Sequence, residues 1–123
     1  MSTIDLALDE YKCGVIKEAY RAFNARELEA ALATMQPNVE WPNGMEGGVV
    51  CGHSGVRGYW TRQWSAINPH VDPVKVDADG SGRVVVNVHQ VVCDLSGAVL
   101  VDRMVDHIYS FEGSLIRGME VRE

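Results

Sequence analysis

The residues best suited to chemistry lie in the second half of the chain, in two stretches that alternate polar with apolar side chains. Side chains of a strand point alternately to its two faces, so Asn87 and His89 share one face. Asp102, Met104 and Asp106 share one face of the following stretch. Desolvation raises the pKa of a carboxylic acid in apolar surroundings, and a neighbouring imidazole can hold or orient its proton. The pattern predicts proton transfer next to a carbonyl, with Asp106 as general acid or base and His89 as its partner or as a substrate-orienting donor.

Two plainer interpretations stay open for these residues. A single histidine in a sheet is more often a hydrogen-bonded structural residue, and Asp102 with Arg103 could form an ordinary ion pair at a strand edge. His107 and Tyr109 fall on the opposite face, where contact with a helix or with a second subunit is expected rather than catalysis.

A second group of candidates is aromatic or large and apolar. Trp60 and Trp64 share one face of a predicted helix, and Trp41 lies in a short predicted strand. Aromatic side chains supply a wide apolar area and one polar handle, so they suit the wall of a pocket for a ring-shaped ligand, and they equally suit a plain core. Met119 is a further apolar candidate for the pocket wall. His53, in a glycine-rich segment, is expected at the pocket mouth or in a solvated loop.

Metal and cofactor sites have no recognisable spacing in this sequence. His53, His89 and the carboxylates form no HxH, HxxxH or HExxH pattern, and no P-loop or GxGxxG is present. Cys13, Cys51 and Cys93 are too far apart for a CxxC pair, which favours free thiols. We therefore expect neither a metal nor a cofactor.

Helices are predicted in the first half of the chain. Apolar residues at spacings of three and four predict a helix over 6–24. A second helix is predicted over 27–35 and is stopped by Pro37, which cannot donate a helical hydrogen bond. A third helix, over 55–66, has Ser54 as its predicted cap.

Strands dominate the second half of the chain. Residues 39–41 predict a short strand, and 43–52, with four glycines, predict a loop at the lip of a pocket. The β-branched, alternating stretches that follow predict an antiparallel meander; they cover residues 71–77, 83–95, 98–111 and 115–122.

Length and charge exclude several classes of protein. The length of 123 residues fits one domain, which we expect to span residues 1–123. The net charge of −6 argues against nucleic acid, because proteins that bind it usually present a basic face. No stretch approaches the roughly 20 apolar residues that cross a bilayer, and the acidic N-terminus does not resemble a signal peptide. We expect a cytoplasmic protein with no nucleic-acid or membrane partner.

Four short motifs follow one another in a recognisable order. They are AYRAFNAREL from Ala19, PNVEW from Pro37, GHSGVR from Gly52 and DHIYSFEGSL from Asp106. Their order and spacing resemble the SnoaL-like branch of the nuclear-transport-factor-two-like superfamily. The resemblance implies an α+β fold in which three N-terminal helices pack on a curved, mainly antiparallel sheet and form a cone with an internal pocket.

The resemblance also implies roles for individual residues. Ketosteroid isomerase, in the same superfamily, uses a carboxylate base, a tyrosine and a protonated aspartic acid. In this chain the position of the base falls on Trp41, that of the tyrosine on or near Ala19, and that of the aspartic acid on Asp106. Tyr20 is one place away from the tyrosine position, a rotation of roughly 100° on a helix, and is not assigned to it. SnoaL-like polyketide cyclases also have their acid/base aspartate at the position of Asp106. The family register turns one set of residues toward the pocket; it comprises Asn87, His89, Asp102, Met104 and Asp106.

Three functions are compatible with these patterns. The first is a cofactor-independent cyclase, isomerase or hydratase that acts on a small apolar compound through Asp106. The second is a non-catalytic module that binds such a compound. The third is a dimeric scaffold whose pocket is filled by Trp41, Met104 and Met119.

A homodimer through the outer face of the sheet is expected in addition. One row of the predicted sheet is apolar enough to need cover by a second subunit. Its members are Val84, Val86, Val88, Gln90 and Val92.

Overall fold

The computed structural model describes residues 3–123, and their side chains from residue 10 onward. Within that range the helices are α1 (Thr3–Asn24), α2 (Leu28–Leu32) and α3 (Gly52–Ala66). The strands are β1 (Met35–Pro42), β2 (Val49–Cys51), β3 (Asn68–Ala78), β4 (Val84–Cys93), β5 (Val99–Glu112) and β6 (Leu115–Arg122). Among the helices described, none has the length and apolar character that crossing a membrane requires.

A single sheet contains the six described strands, in the order β2-β1-β6-β5-β4-β3. β1 runs parallel to β6, whereas the other neighbouring strands are antiparallel. Register shifts interrupt the pairing of β3, β4 and β5, and such bulges bend a strand and increase its twist. The buried residues of the helices pack on one face of this sheet. The predicted α+β class with a mainly antiparallel sheet is therefore confirmed.

The structure differs from the prediction between residues 27 and 52. α2 ends at Leu32 and β1 begins at Met35, so Pro37 lies inside a strand and does not stop the helix. β1 and β6 pair at Met35 and again at Glu40, with a register shift between them, so the missing N–H of the proline interrupts no regular ladder. The predicted loop contains β2, and α3 begins at Gly52 rather than after Ser54.

The row of β4 that was expected on the outer face lies on the buried face instead. Val84, Val86 and Val88 are at most 4% exposed and belong to the core under the helices. Gln90 and Val92 continue the same row into a cavity. The expectation was wrong because a row of valines gains most when the helices of its own chain cover it.

Side-chain contacts with β3 fix the end of α1. Asn24 Nδ2 donates to the carbonyl of Val71 at 2.7 Å, and its Oδ1 accepts from the Val71 N–H at 3.0 Å. Arg26, whose φ is 62°, donates to the carbonyl of Pro69 at 2.7 Å. These bonds hold α1 against the sheet and so position Tyr20, one turn earlier, over the inner face.

Candidate ligand-binding site

A cavity of about 380 Å³ opens between the helices and the inner face of the sheet. Side chains from α1, α3 and every strand except β2 line it, and most of them are apolar. Small-molecule sites commonly have ~300–1,000 Å³, and a cavity of roughly 150 Å³ holds benzene. The cavity therefore has room for a molecule of about two rings.

Hydrogen bonds join three polar side chains in the buried part of this cavity. Tyr109 Oη donates to Tyr20 Oη at 2.8 Å, and Tyr20 Oη lies 2.7 Å from Nδ1 of His107. All three residues line the cavity and are at most 7% exposed. α1 supplies Tyr20, whereas β5 supplies His107 and Tyr109, which share a strand face because they are two residues apart.

Burial keeps the imidazole of this network neutral. Desolvation lowers the pKa of His107 to about 4; the negative charge of Asp106 opposes that shift, and the positive charge of Arg103 adds to it. Desolvation also raises the pKa of Tyr20 and of Tyr109, so both phenols stay protonated. Tyr20 Oη already accepts from Tyr109, so we assign its own proton to the bond with Nδ1, and in this assignment the neutral ring carries its proton on Nε2. Nε2 has no hydrogen-bond partner among the described side chains, so His107 offers one N–H donor to the cavity.

Three of the large apolar residues predicted for the pocket wall line the cavity. Trp41 and Trp60 are 8% and 3% exposed and meet edge to face, with ring centroids 5.6 Å apart. Met119 lines the cavity as well. Trp64 does not; it stacks on Trp60 at 5.8 Å and packs on Phe23, so it supports the wall from outside.

The candidates of β4 and β5 lie on the other face of the sheet. None of them lines the cavity, although the family register turned all of them toward it. A slip of one residue sends every side chain of a strand to the opposite face, and this prediction was wrong for that reason. His107 and Tyr109, expected on the face away from the pocket in contact with a helix or a second subunit, contact Tyr20 of α1 and line the cavity. The displaced candidates are Asn87, His89, Asp102, Met104 and Asp106.

On the outer face these residues pair with one another. His89 Nε2 lies 2.7 Å from Asp102 Oδ1, and their side chains are 41% and 61% exposed. Asn87 Nδ2 donates to Asp106 Oδ1 at 3.2 Å, and Arg122 lies 3.8 Å from the other oxygen of that carboxylate. The plainer interpretation, surface pairing, therefore fits their geometry, and Asp106 has no apolar cavity in which to act.

The lip of the cavity is formed by the loop after β1. Residues 43–45 line the cavity, and the N–H of Gly44 donates to Tyr59 Oη at 3.1 Å, which ties this loop to α3. His53 lies elsewhere: its Nε2 donates to the carbonyl of Met35 at 2.9 Å. It links the start of α3 to β1 and does not line the cavity.

Arg103 contributes a charge at the open end of the cavity. Its side chain is 45% exposed, and among the described residues it is the one permanently charged side chain in the lining. Arg103 Nε donates to Gln90 Oε1 at 2.8 Å, and the guanidinium pairs with Glu123. The cavity therefore has an apolar middle, a neutral donor at its inner end and a cation at its mouth.

No metal centre is formed by the residues that the structure describes. They contain no group of three His, Cys, Asp or Glu side chains able to hold an ion. The polar groups of the cavity are phenols, an imidazole, amides and a guanidinium. Such a set suits hydrogen bonding to an organic molecule.

Sequence reasoning missed His107 although the sequence contains a signal for it. Asp102 and Asp106 occupy one row of β5, whereas the alternate row, with Val105 and Tyr109, holds no carboxylate. A row that carries two acidic side chains is expected to face solvent, because burial of an unpaired charge is costly. This composition, together with the valine row of β4, assigns His107 to the inner face.

Comparison with known proteins identifies the family. Residues 16–119 match the SnoaL-like domain. TerC co-crystallised with polyporic acid is 25% identical, with a TM-score of 0.79 over 90% of this chain and 89% of that one. An NTF2-like protein of unknown function from Burkholderia pseudomallei is also 25% identical, with a TM-score of 0.79 over 91% and 89% of the two chains. A Mycobacterium tuberculosis protein in complex with estradiol-17beta-hemisuccinate is 16% identical, with a TM-score of 0.78 over 90% and 92%.

The search of curated proteins gave no match. The family match covers most of the chain, and the structural matches span nearly all of it. The chain therefore belongs to the SnoaL-like domain family and has the NTF2-like fold that its four motifs predicted.

Proposed function

We propose that the protein binds a small, apolar, ring-containing molecule and that His107 sets its orientation. The observation that carries this proposal is the neutral imidazole of His107, which lines a mostly apolar cavity and whose Nε2 has no hydrogen-bond partner among the described residues. A ligand with a carbonyl or hydroxyl oxygen satisfies that donor, while Trp41 and Trp60 offer faces and edges to its rings. A ligand without an acceptor leaves the donor unpaired, which costs about 1–3 kcal/mol.

The similar structures support a ligand of this class. TerC was co-crystallised with polyporic acid, and the Mycobacterium tuberculosis protein was crystallised with an estradiol derivative. This chain shares their fold and has a cavity with room for about two rings. A ring compound with oxygen substituents is therefore the ligand class that we propose.

A cofactor-independent isomerase, cyclase or hydratase is the second candidate function. The series of hydrogen bonds from Tyr109 through Tyr20 to His107 favours it, because the series holds a donor where negative charge would develop on a carbonyl oxygen. A base is also needed to take a proton from the substrate. The described lining contains no carboxylate, and Asp106 faces away from it. Binding is therefore the function that the geometry supports best.

The role of His107 is testable with the β isomer of acetonaphthone, a neutral two-ring ketone. Quenching of tryptophan fluorescence reports its binding, because Trp41 and Trp60 line the cavity. We expect His107→Phe to weaken binding of the ketone about tenfold, ~1.4 kcal/mol, through loss of one hydrogen bond. We expect Asp106→Asn to leave the affinity unchanged.

The matched control is β-ethylnaphthalene, which has the same rings and no oxygen. It should bind His107→Phe at least as tightly as wild type, because the variant leaves no donor unpaired. This result separates a lost hydrogen bond from a disturbed cavity. An unchanged ketone affinity in His107→Phe contradicts the proposal. A loss of affinity in Asp106→Asn would instead restore the role predicted from the sequence.

We also propose that two copies associate through the outer face of the sheet. The described helices lie on the inner face, and Met104 is 48% exposed on the outer one, beside the His89–Asp102 pair. Met104→Lys should weaken association at least about tenfold, ~1.4 kcal/mol, because it adds an unpaired charge that the contact would bury. Met45→Lys is the matched control, because Met45 is 42% exposed and lies on the cavity lip. Sedimentation velocity at micromolar concentration measures both, and a wild-type protein that is only monomeric contradicts the proposal.

A further inference from the structure

The mouth of the cavity carries a positive charge that the proposed function leaves unexplained. Arg103 lies on β5 four residues before His107 and on the same face, so their Cα atoms are about 13 Å apart along the strand. The side chain of Arg103 is 45% exposed, whereas His107 is 7% exposed. The two residues therefore mark the outer and inner ends of one cavity.

Gln90 holds the guanidinium of Arg103 in place. The two residues are register partners on the inner face, and Arg103 Nε donates to Gln90 Oε1 at 2.8 Å. This bond occupies Nε and leaves the two terminal nitrogens for other partners, of which Nη1 contacts Glu123. Such a pair of nitrogens binds a carboxylate through two parallel hydrogen bonds, which a lysine ammonium cannot do.

A carboxylate of the chain itself already contacts this guanidinium. Glu123 pairs with Nη1 of Arg103, and its side chain is 67% exposed. An ion pair between two exposed side chains contributes only ~0–1 kcal/mol, so a ligand can displace Glu123 at little cost. Glu123 does not itself line the cavity, but its carboxylate shows that the guanidinium of Arg103 accepts an anionic partner.

We propose that the cavity selects ligands that carry an anionic group, such as a carboxylate, and that Arg103 recognises this group after displacing Glu123. The proposal rests on the proposed function, because it names the chemical class of the ligand for the same cavity. A preferred ligand has its acid at one end, near Arg103. It has a neutral acceptor oxygen at the other end, for Nε2 of His107.

The test compares para-acetylcinnamic acid with its methyl ester, two compounds that share a ring and a ketone and differ in charge at neutral pH. Isothermal titration calorimetry should show that wild type binds the acid about tenfold more tightly than the ester. Arg103→Met should remove this preference by weakening the acid alone. Glu123→Gln should strengthen binding of the acid by roughly threefold, since it removes the internal competitor.

Arg83→Met is the matched control for the loss of one positive charge. Arg83 is 43% exposed, pairs with Asp79 and lies outside the cavity lining, so its replacement should leave the preference for the acid unchanged. Equal binding of acid and ester by wild type, or equal weakening of both by Arg103→Met, overturns the anion preference and leaves ligand binding intact. Failure of both compounds to bind wild type overturns this proposal together with the proposed function.

Discussion

Acidification should cost this protein about 3 kcal/mol of folding free energy through His107 alone. Burial lowers the pKa of this imidazole from its ordinary 6.5 to about 4. Between these values the unfolded chain binds a proton that the folded chain rejects, so the free energy of unfolding falls as the pH falls. The contribution is fully present above pH 6.5 and is lost progressively toward about pH 4. Each pH unit in that window is worth about 1.4 kcal/mol.

Urea unfolding at a series of pH values measures this effect. The carboxylates also titrate near the lower end of the window, so the informative quantity is the difference in slope between wild type and His107→Gln. Across this window, the free energy of unfolding of His107→Gln should fall by about 3 kcal/mol less than that of wild type. His70→Gln is the control for replacing an exposed histidine, because the side chain of His70 is 55% exposed. Equal slopes for wild type and His107→Gln would show that His107 is not buried as a neutral ring.

Replacement of Trp60 by Ala should destabilise the protein by about 3–5 kcal/mol, the range measured for large aromatic residues in cores. Trp60 is 3% exposed, and its ring meets Trp41 and Phe23 edge to face at 5.6 and 5.1 Å. The substitution removes these contacts and joins the vacated volume to the existing cavity, so little of the loss is recovered by collapse. Urea unfolding at neutral pH gives the free energy directly.

Trp64→Ala is the control for the loss of a tryptophan as such. Trp64 stacks on Trp60 but is only partly buried and does not line the cavity, so we expect a loss of about 1–2 kcal/mol, below that of Trp60→Ala. Equal losses for the two variants would mean that the cavity wall is no better packed than the surface beside it.

The order of elements was largely predictable from local patterns. Apolar spacing predicted α1 and α3, and the β-branched stretches with their glycine turns predicted the last four strands. The short β2 escaped prediction because a segment of three residues among glycines has no periodicity of its own. The parallel pairing of β1 with β6 could not be predicted from local patterns either, because the paired residues Met35 and Ile116 are far apart in the sequence.

The candidate site was predicted only in its apolar part. Trp41, Trp60 and Met119 are large and apolar, so burial places them inside whatever the exact register is. The polar residues depend on strand parity, and β4 has valines on both faces, at Val85 and Val91 as well as along the buried row. When both alternating rows of a strand contain apolar residues, the sequence pattern does not show which row faces the core.

The sequence by itself determined the family, the α+β class and the aromatic character of a pocket. Tertiary structure alone decided which titratable groups meet there. Tyr20 and His107 are separated by 87 positions, and their hydrogen bond exists because α1 lies over the inner face of β5. That packing buries His107 in the lining of the cavity and leaves Asp106 paired on the outer face. The side of the sheet that the helices cover sets the chemistry, because a single step in strand register exchanges one face for the other.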